Sequence, residues 1–429
     1  MSRRRMAVTA ALLAFAVVLA GCGAPVAQSD TVTPTPDSST PTATGQSDDA
    51  PKRSINVTNG SLSVDPNLVF DRVQALQGTT VERPRVVQVF NTQGEFQNQS
   101  SDIGAGPSRT FYTLAGMTTQ EVNVTESVTR QKNGYVTGFG SIVLYLGPNV
   151  STADELLLTA HEFTHYVQLQ TGRQEQLTSN LGGVALTDKR YVRRAIVEGG
   201  AVVTTNAYLA QYGNTSATNS EMYTSVQAAL PAGHIARYEN GKYVHGDDYM
   251  EGRSDTPADL AAVYETPPQT SEQVLHELPP GTEPPTPLDV TIETGDRWVA
   301  AGNDRMGEAF VRTAVESAVG KQRAVTAAAG WGNDSVRFLR PTDGGDTAYA
   351  WILRWDDAAN QSEFQSVYER SLDQRGTERG GVWALDNSST AATLRAPTDR
   401  SSVVVFGPRS LVENVSVTGE AGSVTVATP

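Results

Sequence analysis

Five residues of this chain have the types and spacing for metal-assisted hydrolysis: His161-Glu162-Phe163-Thr164-His165. They use two of only five histidines in 429 residues. On a helix, residues four apart sit one above the other on the same face. Two imidazoles so placed can grip one ion, and Glu162 beside them can act on a water at that ion. A third ligand is needed. The pattern that continues with Gly three residues and His six residues after the second His is excluded, because Gln168 and Thr171 stand there. The better candidate is Glu198, in Ala195-Ile196-Val197-Glu198-Gly199-Gly200-Ala201. Each of the two glycines costs a helix about 1 kcal/mol relative to Ala. Close approach to the motif helix or to the metal would justify them. Two His and one Glu leave a position open, the layout of a catalytic rather than a structural zinc site.

These residues need helices to position them, and the local sequence supplies two. Asn149 to Thr152 offers N-cap residues, and Thr152 with Glu155, or Ser151 with Asp154, can form a capping box. From Glu155 to Gln170 there is no Gly or Pro. Leu156, Ala160, Phe163 and Val167 recur at helical spacing as a core face, with His161 and His165 on roughly the opposite side. Gly172 suits the end of this helix. The second helix runs from Thr187-Asp188 to Gly213. Upstream, Ile142 to Leu146 reads as a strand between glycines.

With Gly138-Phe139, the Ile142–Leu146 strand, HEFTH and Glu198-Gly199-Gly200-Ala201 in place, the chain resembles the gluzincin branch of zinc metallopeptidases. More narrowly, it is similar to surface metallopeptidase lipoproteins of halophilic archaea. The stretch Pro267 to His276 is also similar to part of that set, and the resemblance covers roughly residues 66 to 390. It implies a peptidase with Zn²⁺ on His161, His165 and Glu198, Glu162 as general base, and a peptide or protein substrate. One departure is Val202, where many gluzincins place a supporting Asp. The implied fold is α+β: a zincin-like domain with a small mixed sheet over the HExxH helix, then a C-terminal α+β domain.

A zinc peptidase also needs a donor for the developing oxyanion, usually a downstream His or Tyr. His276, Tyr243 and His234 are the candidates, in that order. His245-Gly246-Asp247-Asp248 could hold a cation in a loop, although Asp pairs in an acidic chain are usually solvated.

The N-terminus opens Ser2-Arg3-Arg4-Arg5, continues through an apolar run from Met6 to Ala20, and ends Leu19-Ala20-Gly21-Cys22. That is a signal peptide with a lipobox, of twin-arginine or general secretory type, and too short to span a bilayer comfortably. Cys22, the only cysteine, is then the lipid-bearing residue, and no disulfide can form within the chain. The expected place is the extracellular face of the membrane, held by that lipid. Residues 22–53 form a Thr/Pro/Ser/Asp tract that reads as a disordered stalk.

The net charge is −14, and only five of the 33 basic residues are Lys. Solvated carboxylates of this kind keep a protein soluble when salt screens other charges. No basic patch is present, which disfavours nucleic acid. After the signal peptide (1–21) and stalk, residues 54–287 are expected to form the metallopeptidase domain and 288–429 the C-terminal domain, divided at the Pro/Gly-rich stretch Leu278 to Pro287. An inactive, metal-stabilised envelope-binding module is the alternative to an enzyme. Oligomeric state is not legible.

Overall fold

The computed structural model describes residues 53–92, 109–119, 133–147, 150–386 and 388–429. The signal peptide, Cys22 and nearly all of the stalk lie outside them. No helix among the described residues is long and apolar enough to cross a membrane.

The fold is α+β. It begins with β1 (Asn56–Thr58), α1 (Pro66–Leu76), β2 (Val86–Phe90), α2 (Arg109–Ala115), β3 (Asn133–Val136) and β4 (Ile142–Tyr145). The four strands form a mixed sheet in the order β1-β2-β4-β3. β1, β2 and β4 run parallel, and β3 runs antiparallel to β4 at the edge. The sheet lies on α3 (Thr152–Gln170), the HExxH helix. Val87, Val89, Ile142 and Leu144 meet Ala160, Phe163 and Val167 in one core. The Phe70 ring closes it, edge-on to Phe163 at 5.4 Å and to Tyr166 at 5.7 Å.

Ser151 caps α3 by accepting from the Asp154 amide at 3.1 Å. Glu155 makes no cap. It is buried and accepts from the amides of Ser63 and Val64 at 2.6 and 3.0 Å, which ties the loop before α1 to the start of α3. At the other end Gly172, with φ 70°, takes the left-handed conformation that lets the chain turn into α4 (Arg173–Asn180).

α5 (Thr187–Tyr212), α6 (Asn219–Ala229) and α7 (Ile235–Glu251) follow, then the short α8 (Ala261–Glu265) and α9 (Ser271–Leu275). Helices α5 and α7 cross where neither carries a side chain: a Cβ on Gly199 would collide with the Gly246 carbonyl, and one on Gly246 with that of Ala195. The closest neighbour of Gly199 is therefore α7 and not the motif helix. Gly200 does face the motif helix, through the Gln168 amide, with the Tyr264 hydroxyl of α8 nearer still. His245-Gly246-Asp247-Asp248 lies inside α7, so it forms no cation-binding loop.

Beyond residue 287 come β5 (Asp289–Glu293), β6 (Trp298–Asp304), α10 (Glu308–Val319), α11 (Lys321–Ala328), β7 (Trp331–Pro341), β8 (Ala348–Trp355) and α12 (Ala358–Asp373). β9 (Gly376–Arg379), β10 (Val382–Leu385), β11 (Thr390–Thr398), β12 (Ser401–Pro408), α13 (Arg409–Val412), β13 (Ser416–Glu420) and β14 (Ser423–Ala427) complete the chain. Seven strands form one antiparallel sheet, β6-β7-β8-β12-β11-β10-β9. Its central strands are buried on both faces. Trp351 and Leu353 pack towards Phe111, Tyr238 and Phe310. The alternate residues Ala350 and Ile352 pack towards Val424, Val426 and β5 of the three-stranded sheet β13-β14-β5.

Candidate metal centre

Helix α3 supplies His161 and His165, one turn apart, and α5 brings Glu198 against them. All three are buried. His161 Nε2 and His165 Nε2 are 3.1 Å apart, and Glu198 Oε2 stands 3.1 Å from His165 Nε2 and 3.4 Å from His161 Nε2. Tetrahedral ligands bound to one zinc at 2.0–2.1 Å lie about 3.3 Å from each other. The triangle has the size that a shared ion requires, and the group could hold a metal.

The outer contacts of each ligand agree with that reading. Gln168 accepts at 2.8 Å from Nδ1 of His165, while its own amide nitrogen donates to the Val197 carbonyl at 2.9 Å and to Tyr264 at 2.8 Å. The orientation of this amide is thereby set, and Nδ1 of His165 carries the proton. In the neutral ring Nε2 is then a bare lone pair aimed at a carboxylate oxygen, an arrangement that only a proton or a cation between them can stabilise.

Asn219 lies 2.9 Å from Nδ1 of His161 through its amide nitrogen, and its Oδ1 is buried without a partner. Rotating the amide by half a turn puts Oδ1 on His161 Nδ1–H, removes the orphan and frees Nε2 for an ion. The remaining oxygen of Glu198 is held by Arg194, one turn earlier on α5, at 2.9 Å. Support comes from two amides and a guanidinium, and position 202 holds a buried Val.

The charges follow from burial and proximity. Burial pushes His161 below its ordinary value. Burial opposes the His165 cation too, but the Glu198 carboxylate outweighs it and lifts this histidine to about 9. Burial works against Glu198 as well, yet His165 and Arg194 hold it well below the usual carboxylate range. Glu162 is lifted by burial to about 7, against the lowering pull of His165. Its Oε2 is buried without a partner.

These groups open on a cavity of about 50 Å³ lined by Asn133, Gly134, Leu157, Leu158, Met222, Tyr223 and Tyr243 with Glu162 and the three ligands. Tyr243 comes from α7 and Tyr223 from α6, with rings stacked at 4.2 Å. Arg194 donates to the Tyr243 hydroxyl at 3.3 Å, so one guanidinium touches both a ligand and this phenol.

Two of the three donor candidates do not line this cavity. His276 sits at the end of α9, its side chain 39% exposed, bonded to the buried Glu308 at 3.0 Å. That hydrogen bond raises the ring above its ordinary value and engages it outside the cavity lining. His234 caps α7, its ring accepting from the Ala236 amide at 3.1 Å, and its backbone is tied to Thr118. Only Tyr243 faces the ligands. Sequence reasoning missed Tyr223, Asn219, Gln168, Arg194 and Gly134. Three carried local signals. Gln168 is three residues after His165 and Arg194 four before Glu198, both on-face spacings. Thr218-x-x-Glu221 is a capping box that sets the start of α6, and with it Asn219.

Residues 296–416 match the model of a domain family of unknown function, DUF8575. That span lies wholly downstream of the ligands and covers well under half of the chain. No curated protein and no solved structure matches the chain.

Proposed function

We propose that this chain is a zinc-dependent peptidase of the HExxH…Glu type, with a zincin-like arrangement of β1–β4 over α3. The observation that carries the reading is the convergence of His161, His165 and Glu198 to within 3.4 Å of one another, beside a buried carboxylate with an unpartnered oxygen. Two imidazoles and one carboxylate suit zinc. When bound in such a site, zinc acidifies a water and polarises a carbonyl oxygen.

The chain's own residues do the rest. Glu162 takes a proton from the attacking water and delivers it to the leaving amine. Tyr243, its oxygen held by Arg194, donates to the carbonyl oxygen as negative charge develops there. An extended peptide can add main-chain hydrogen bonds along the edge of β3 that no other described strand pairs with, where Asn133 and Gly134 line the cavity. The lipobox at Cys22 supports a location on the outer face of the membrane.

The test uses the full-length protein in multimolar salt. The expected result is about one metal per chain in the wild type and in Glu162→Gln. Metal should be lost in His161→Ala and in Glu198→Ala. Hydrolysis of a denatured protein should vanish on chelation and in Glu162→Gln. Unchanged turnover in Glu162→Gln defeats the mechanism. Metal without turnover in the wild type assigns the site to a metal-stabilised binding module instead.

A further inference from the structure

We infer that Gly134 is a positioning residue for Glu162, an inference that rests on the peptidase reading for its consequence but not for its geometry. A Cβ built on Gly134 would lie 2.7 Å from both Cγ and Oε1 of Glu162 and 2.8 Å from Cδ. Real Cβ atoms do not approach heavy atoms so closely. The glycine is not there for its backbone, because Gly134 is not among the residues with positive φ and sits paired to Leu144 in an ordinary strand register. Alanine can adopt that conformation without strain. What it cannot do is share the space with the general base.

Glu162 can yield only into the cavity that it lines with His161, His165 and Glu198. It is 4% exposed. Its helix is packed against the same sheet through Ala160, Phe163 and Val167. The strand above presses backbone onto the carboxylate, so the missing side chain at position 134 allows the sheet edge to lie flush on it. A methyl group there forces the carboxylate out of its present position beside His161, His165 and Glu198. Displacements of about 1 Å in such machinery cost on the order of 100-fold in rate.

The test is a double-mutant cycle in the full-length, metal-loaded protein. Gly134→Ala is expected to keep its metal and to lose about 100-fold in kcat on an internally quenched peptide that the wild type cleaves. It should also lower Tm in the wild-type background but not in Glu162→Ala, where the space is vacant. This rescue is what a general strand defect does not produce. An equal Tm shift in both backgrounds overturns the inference, and so does an unchanged kcat. Should the wild type cleave nothing, the peptidase reading fails while the Tm cycle still decides the placement of Gly134.

Discussion

Gln168 holds Nδ1 of His165 at 2.8 Å with an amide whose other end is committed to the Val197 carbonyl. One residue on the motif helix thus dictates which nitrogen of a ligand on that same helix faces Glu198. It also links α3 to α5, because Val197 directly precedes Glu198. The orientation of His165 and the docking of the two helices are a single hydrogen-bonded unit.

Replacing Gln168 with Leu removes the acceptor and lets His165 turn or change tautomer. Metal affinity should fall about 10- to 100-fold, the usual cost of losing a partner that orients a ligand. Competition against a chelator of known affinity measures it. An affinity equal to wild type would show that the tautomer is set elsewhere.

The crossing of α5 over α7 predicts an inversion of helix propensity. Gly199→Ala should gain about 1 kcal/mol from propensity alone. The new methyl meets the Gly246 carbonyl, and overpacking of this kind costs roughly 1–3 kcal/mol or more. Denaturation of the purified variant should therefore show net destabilisation, with metal binding weakened as Glu198 shifts. A variant as stable as the wild type rules out a tight crossing.

Away from the metal, Glu272 should make stability depend on pH. Burial, reinforced by Glu308, Asp356, Glu283 and Asp188, lifts its carboxyl from the ordinary 4.5 to about 9. The folded chain keeps a proton that the unfolded chain releases, so this contribution is complete below about pH 4.5 and is lost as pH rises through 9. Glu272→Gln imitates the neutral form. Its Tm should match wild type near pH 5 and exceed it by several degrees near pH 9. Parallel Tm curves for the two proteins would mean that Glu272 is ionised when folded.

The helices that carry the ligands were legible because their signals are local. Ser151 caps α3, Gly172 ends it, and the apolar stripe through Phe163 and Val167 matches the face found in the core. The glycine pair after Glu198 correctly announced close packing, although only Gly200 touches the motif helix's side and Gly199 meets α7. The need for an oxyanion donor drew attention to His276 and His234, but residue type says nothing of which neighbour a ring will find. Glu308 and a helix N-terminus claimed them. The strands β5, β13 and β14 went unread, being short, rich in Thr, Ser and Glu, and half-exposed. Their apolar alternation gains meaning only against Ile352 and Val403 across the interface.

By itself, then, the order of residues determined the motif, its helix and the candidate ligands, because capping and side-chain periodicity act within a few residues of one another. Only the tertiary structure decided that the three candidate ligand atoms converge. It also decided that Arg194, Gln168 and Asn219 each engage one ligand, that two tyrosines face the site, and that a glycine on the sheet edge presses on Glu162. Those contacts join groups far apart in the chain, and their distances follow from how α3, α5, α6 and β3 pack, which no local spacing encodes.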